Sequence, residues 1–354
     1  MFSFERADLN TFPWEETHAG LGDRTLFQSP AWLDFLTATQ KGEAVVAVLR
    51  NGSAAAGYFT GMIVRKLGLK VLGSPFPGWS TSYMGLNLSP GISKHSVLDA
   101  LKRLAFDDLH CSHLEFMDRK FNAAEISECG FQSTSLNGFE VDLTATEEEI
   151  FERFRPACRQ AIRKATRSGV TVAEAADADF AAEYYSQLEE VFGRQKLAPT
   201  YSLARVQDLL RYIQPTGKLL LLRARDGHGQ CIATGIFLMI SPTTMYFWGG
   251  ASWSSHQSLR PNDLLMWKAM QIGKARGMAI LDLGGAGDYK KKFGGRPISV
   301  PWARISSQPF IPILRDTART LFRLKQRLQA RGGWKSPGQP AAIPTVPDVT
   351  AKHL

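Results

Sequence analysis

Leu281 to Gly295 reads LDLGGAGDYKKKFGG, and this stretch constrains the chain more than any other. An apolar strand, Met278 to Leu283, runs into a glycine-rich turn. A tyrosine, three consecutive lysines, a phenylalanine and two more glycines follow. Gly284, Gly285 and Gly287 permit positive φ and a close approach to the backbone. A strand that ends in such a turn and then presents ammonium groups suits an anionic ligand. It suits equally a carbonyl oxygen gaining negative charge during acyl transfer.

The order of elements around that stretch predicts an α/β protein with mixed sheets. In the first third, Ser29 caps a helix that starts at Pro30 and runs to about Thr39. Strands are expected at 44–49, 54–60 and 66–72, with Asn51-Gly52 as a hairpin turn. A loop rich in Gly, Pro and aromatics, GSPFPGWSTSYMG, follows at 73–85. A helix at 93–108, a strand at 112–117, a short helix near Ala123 and a strand at 138–143 complete this part. A second unit opens with the capping-box pair Thr146 and Glu149 and a helix through about Arg167. Next come a strand at 170–173, helices at 177–194 and 202–212, strands at 218–225, 231–240 and 243–251, a helix at 262–276 and a strand at 279–283. That order is the one expected of an acyltransferase-type domain. The boundaries read as 1–143, 144–331 and a Gly/Pro-rich tail, 332–354, expected to be disordered.

With 354 residues there is room for about two domains. No apolar run reaches the roughly 18 residues of a membrane span, and the acidic, mixed start lacks a signal-peptide pattern. The four cysteines, Cys111, Cys129, Cys158 and Cys231, have no paired metal spacing, so a reduced cytoplasmic chain is expected. His110 and His113 lack a carboxylate or further cysteine partner nearby, and no metal is expected. No nucleophile-elbow pattern supports a hydrolase triad. The formal charge of +9 is concentrated: twelve Lys/Arg fall between Lys290 and Lys335 against one acid, Asp316. Such clustering points to an anionic partner.

Several groups could meet that partner. Arg159, Arg163 and Arg167 form one helical stripe, either a solvated face or a phosphate contact. Arg260 and Asn262 stand at a helix start whose free N–H groups could cradle a pyrophosphate, although Asp263 disfavours an anion there. Tyr246 and Trp248 lie on a strand, as core or as the lining of a cleft. The helix expected at 311–331 has an apolar stripe flanked by basic residues. It reads as a docked terminal helix or as a peripheral contact with anionic lipid at the inner face of the membrane.

Taken together, RQAIRKATRSGVTV, LLMWKAMQIGKARGMAILDLGG and YKKKFGG resemble the FemAB-like (FemABX) peptidyltransferases and related N-acyltransferases of the GNAT superfamily, over about 145–305. The resemblance implies two tandem GNAT-like subdomains with a cleft between them. The family's aromatic-Lys-x-x-Phe-Gly pattern falls on Tyr289, Lys290, Phe293 and Gly294, which maps the functional lysine to Lys290, with Lys291 and Lys292 adjacent. It further implies transfer from acyl-CoA or aminoacyl-tRNA to an amine on a peptidoglycan or exopolysaccharide precursor, nucleotide- or lipid-linked. Nucleic acid is a partner only if the donor is aminoacyl-tRNA. On that reading Lys290 stabilises the oxyanion or leaving group and Asp288 or Tyr289 relays a proton. Arg159, Arg163, Arg260, Asn262, Gly284, Gly285, Tyr246 and Trp248 then hold donor or acceptor. The rival reading from another class is a non-catalytic binder of anionic lipid or nucleic acid that uses the basic C-terminal region.

Overall fold

The computed structural model describes residues 2–14, 21, 24–66, 68–285, 287–309 and 311. The basic helix expected at 311–331, but for Ile311, and the tail at 332–354 lie outside the described residues. Two compact units divide the chain. One is built from Met1–Leu136 with the segment from Ser299, the other from Asn137–Ile298. Among the described residues no helix is long and apolar enough to cross a membrane.

In the first unit, strands β1 (Phe2–Ala7), β2 (Glu43–Asn51), β3 (Ala54–Lys66), β4 (Leu69–Ser74) and β6 (His113–Met117) lie side by side in that order, and β5 (Leu86–Leu88) pairs with β3. Asn51 pairs with Ala54 across the expected hairpin turn, where Gly52 takes a φ of 63°. β4 and β6 are parallel, and Trp302–Ser306 runs antiparallel to β6. Helices α1 (Pro30–Gln40), capped by the Ser29 side chain, α2 (Lys94–Arg103) and α3 (Ala123–Glu128) accompany this sheet. Val45, Leu49, Phe59, Leu72, Leu98, Leu101, Leu114 and Phe116 form its core. The aromatic loop at 73–85 is folded inward, with Phe76 and Trp79 fully buried.

The second unit holds β7 (Gln132–Asp142, whose first residues belong to the other unit), β8 (Thr171–Ala175), β9 (Leu219–Arg225), β10 (Cys231–Met239), β11 (Thr244–Ser252) and β12 (Ile280–Gly285), in the order β7-β12-β11-β10-β9-β8. All pairs are antiparallel except β11 with β12. Helices α4 (Glu147–Glu152), α5 (Pro156–Arg167), α6 (Asp179–Arg194), α7 (Leu203–Ile213) and α8 (Pro261–Ala275) cover the two faces. On one face Phe237, Met245, Leu281 and Leu283 share a core with Cys158 and Ile162 of α5 and Leu264 and Leu265 of α8. On the other, Thr234 donates a hydrogen bond to Gln187 of α6 at 2.8 Å. Alternation along the strands therefore sends Tyr246, paired with Leu238, toward α6 and its neighbour Met245 toward α8.

The structure differs from the sequence reading in three places. The single helix expected over 146–167 is two helices, because Pro156 opens α5 and the chain turns at Arg153–Arg155. Strands β1, β5 and a final strand β13 (Arg296–Ser306) were not foreseen; Pro297 and Pro301 mask the strand pattern in the last of these. Of the three glycines at 284, 285 and 287, Gly284 alone takes a positive φ, 67°.

Candidate functional site

The parallel pairing of β11 with β12 runs only from Thr244/Ile280 to Tyr246/Asp282. Beyond that point β11 continues to Ser252 and β12 to Gly285, so the two strands part. A bulge in β11 adds to the divergence: Ile236 pairs with Gly249 and Phe237 with Phe247, leaving Trp248 as the extra residue. Two neighbours lie at this parting. A Cβ on Gly284 would stand 3.2 Å from the Tyr246 hydroxyl, and one on Gly249 would collide with the Tyr184 hydroxyl at 2.5 Å.

Tyr184 of α6 and Tyr201 share a hydrogen bond at 2.6 Å, Tyr201 lies against Trp248 with ring centroids 5.2 Å apart, and the Arg205 guanidinium is 5.9 Å from the Tyr201 ring. Burial pushes the Tyr201 phenol up to about 12 and the Arg205 guanidinium down to about 10. Tyr184, fully buried, is raised well above the usual phenol range, chiefly by burial and further by Tyr201 and Tyr289. Tyr289 thus belongs to the same neighbourhood while keeping 52% of its surface exposed. The Trp248 side chain is buried, and its indole N–H has no acceptor among the described residues.

The three consecutive lysines have three different positions. Lys292 reaches inward and pairs with the buried carboxylate of Asp263 at 2.5 Å. Lys291 pairs with the exposed Asp288 at 2.7 Å. Lys290 donates to the Gly285 carbonyl at 2.9 Å and lies 5.7 Å from the centre of the Tyr289 ring. It is half-buried, and desolvation lowers its pKa to about 8 against the opposing pull of the Asp282 carboxylate. The segment is held from behind. Arg155 donates its N–H to the Lys292 carbonyl, Phe293 packs edge-on against Phe154, and Gly294 at φ 68° presses on Arg153. The chain can adopt that approach because glycine carries no Cβ.

The sequence-derived residues thus fall into separate groups. Tyr246, Trp248, Gly284, Gly285, Tyr289 and Lys290 come together on the α6 side of the sheet where β11 and β12 part. Asp288 lies on the exposed edge of that turn, its carboxyl held below the usual range by Lys291. Arg260 and Asn262 stand at the start of α8. Arg260 is exposed with φ 58°, an uncommon backbone for a non-glycine residue, and Asn262 donates to the Ser252 hydroxyl at 2.8 Å. The positive end of α8 already carries Asp263, whose carboxylate also accepts from the Cys158 thiol at 3.6 Å. Arg159 is engaged with Glu152, accepted both by its carbonyl and by its carboxylate at 2.8 Å, so it is not the unpaired cation that the stripe suggested. Arg163 lies on the opposite, α5–α8 side, over the Phe151 ring at 5.5 Å. Tyr184, Tyr201 and Arg205 were missed, because no local pattern marks them; their place beside Trp248 is visible only once α6 and α7 lie across β11.

A functional group with this arrangement can bind an extended ligand along the diverging strand edges and offer an ammonium at its reacting end. Residues 152–292 match the family described as "Acetyltransferase (GNAT) domain". No curated protein matches the chain. Among solved structures, that of FemX aligns with a TM-score of 0.67 at 12% identity, covering 87% of this chain and 99% of that one. The tandem GNAT protein from the clavulanic acid biosynthesis pathway aligns at 0.54 and 11% identity, covering 87% and 99%. L-PGS from Bacillus licheniformis aligns at 0.52 and 13%, covering 86% and 97%. The family match falls on the unit that carries the parted strands and Lys290, so residues 152–292 are similar to a GNAT acetyltransferase domain, and the chain as a whole shares the tandem GNAT-like fold of these solved structures.

Proposed function

We propose that the chain moves an acyl or aminoacyl group from acyl-CoA or aminoacyl-tRNA to an amine on a peptidoglycan or exopolysaccharide precursor, at the parting of β11 and β12. The observation that carries this reading is the division of labour among the lysines. Lys292 and Lys291 are neutralised by Asp263 and Asp288, whereas Lys290 keeps its charge beside the open strand edge. The acceptor rests on the resemblance of the 281–295 segment to the FemABX pattern. The similarity of residues 152–292 to a GNAT acetyltransferase domain supports the two donor classes.

In the transfer, the amine nitrogen attacks the donor carbonyl carbon. A C–N bond forms, and the C–S or C–O bond to the leaving group breaks as the tetrahedral intermediate collapses. The attacking nitrogen gives up a proton and the leaving sulfur or oxygen takes one. Lys290 supplies a hydrogen bond to the oxyanion, or the proton for the leaving group; a positioned donor of this kind is worth roughly 3–4 kcal/mol. The buried Trp248 indole N–H is a second donor that a ligand carbonyl would satisfy. Tyr246 and Gly284 wall the strand opening, the missing Cβ of Gly284 leaving room for the phenol. Asp288, held as a carboxylate beside Lys291, and the half-exposed Tyr289 provide the route by which the amine proton reaches solvent. On this reading the protein acts in the cytoplasm, where both donors are found.

The test offers acyl-CoA and aminoacyl-tRNA separately, with amine-bearing cell-wall and polysaccharide precursors, and follows the acceptor by mass spectrometry. Addition of one acyl or aminoacyl mass to the amine from one donor is expected. A chain that transfers from neither donor to any amine acceptor would contradict the reading.

A further inference from the structure

On the α5–α8 side of the second unit, away from Lys290, a groove of about 630 Å³ is open to solvent. Its volume lies within the range of small-molecule sites. α5 supplies Ile162, Arg163, Thr166 and Arg167; α8 supplies Leu264, Trp267 and Lys268; Phe151 and Val170–Val172 complete the wall. Three cations therefore face one groove from two helices, and its lining contains no acid. Arg163 and Arg167 are one helical turn apart and exposed. Among the described residues none of the three cations is paired with a carboxylate, in contrast to Arg159, Arg223 and Arg276 of the same unit.

The chemistry of the walls selects the kind of anion. Phe151 and Trp267 are already turned against each other, with centroids 5.4 Å apart at 51°, so they offer an apolar surface and not an open stacking slot. Ile162, Val170, Val172 and Leu264 are aliphatic, and only Thr166 and Thr171 are uncharged and polar. A base or a sugar would find almost nothing to hydrogen-bond with there. A hydrocarbon chain would find a continuous apolar floor, and its phosphate would meet guanidinium and ammonium groups.

We propose that this groove binds an anionic phospholipid, the phosphate held by Arg163, Arg167 and Lys268 and the upper acyl chain lying along Phe151, Leu264 and Trp267. The site does not depend on the transfer chemistry assigned to Lys290. Dihexanoyl phosphatidic acid, used as a monomer below its micelle concentration, tests it by isothermal titration against the full chain. One saturable site is expected, with dihexanoyl phosphatidylcholine and inorganic phosphate each binding about tenfold or more weakly. R163Q/R167Q/K268Q removes the head-group contacts. T166W fills the groove from an exposed helical position; both variants are checked for native circular dichroism. Each is expected to lose about tenfold or more in affinity, whereas K290A keeps the wild-type affinity. Undiminished binding in both groove variants would overturn the proposal. So would inorganic phosphate binding as tightly as the lipid, which marks an anion site alone, or equal binding of phosphatidylcholine, which marks apolar adsorption alone.

Discussion

Replacing Lys292 with methionine isolates the contact that anchors the lysine segment. Its ammonium is 2.5 Å from Asp263, whose side chain is 8% exposed, while Lys292 itself keeps 29%. Removing one partner of a buried pair costs about 3–5 kcal/mol, since the remaining charge stays desolvated and alone. The lower end applies here, because Lys292 already reaches solvent in part. Asp263 also retains the Cys158 thiol and the first turn of α8, the latter worth about 0.3–1 kcal/mol. The expected loss for Lys292→Met is therefore about 2–3 kcal/mol. Asp263→Asn should cost less, about 1 kcal/mol, because the freed ammonium can turn toward water. The double variant should recover most of the Lys292→Met loss, leaving a coupling of about 2 kcal/mol. Urea denaturation followed by circular dichroism measures all four members of the cycle. Strict additivity of the two single losses would refute the idea that Lys292 serves mainly to neutralise Asp263.

Three further outcomes follow from the same geometry. With Lys290 at a pKa of about 8, the ammonium is present below that pH and lost above it. The transfer rate should fall as pH rises through 8, and Lys290→Arg, if active, should move that falling limb upward; an unchanged limb would assign it to another group. Gly249→Ala places a methyl against the buried Tyr184 hydroxyl at 2.5 Å and should cost about 1–3 kcal/mol by thermal unfolding. Gly294→Ala combines a left-handed φ of 68° with a contact of 2.6 Å to the Arg153 carbonyl. It should cost more than the roughly 1–2 kcal/mol of the backbone conformation alone, read by the same unfolding assay.

Features that depend on near neighbours were legible in the chain itself. The Asn51-Gly52 hairpin, the Thr146/Glu149 capping box, the Ser29 cap and the strand running into Gly284 all depend on residues within a few positions of one another. Long-range partnerships were not legible. KKK gives no indication that its third member will reach Asp263, 29 residues earlier, while its first forms no ion pair among the described residues and donates to the Gly285 carbonyl. The Tyr184–Tyr201–Trp248 cluster likewise depends on α6 crossing a bulged strand. Arg159 shows the converse. A regular arginine stripe suggested a ligand contact, yet the turn forced by Pro156 brings Glu152 within 2.8 Å and neutralises its first member. Spacing put the arginines on one helical stripe, and tertiary structure decides which of them form ion pairs among the described residues.

Single-turnover transfer by Lys290→Ala and Lys291→Ala tests the central claim most directly, since the two residues are adjacent, chemically identical and differently placed. Loss of the positioned ammonium at 290 should slow the chemical step by about 10²–10³-fold, the usual effect of removing one oxyanion donor. Lys291, bound to an exposed Asp288, should matter by less than about threefold. Equal losses at the two positions, or an undiminished rate for Lys290→Ala, would contradict it.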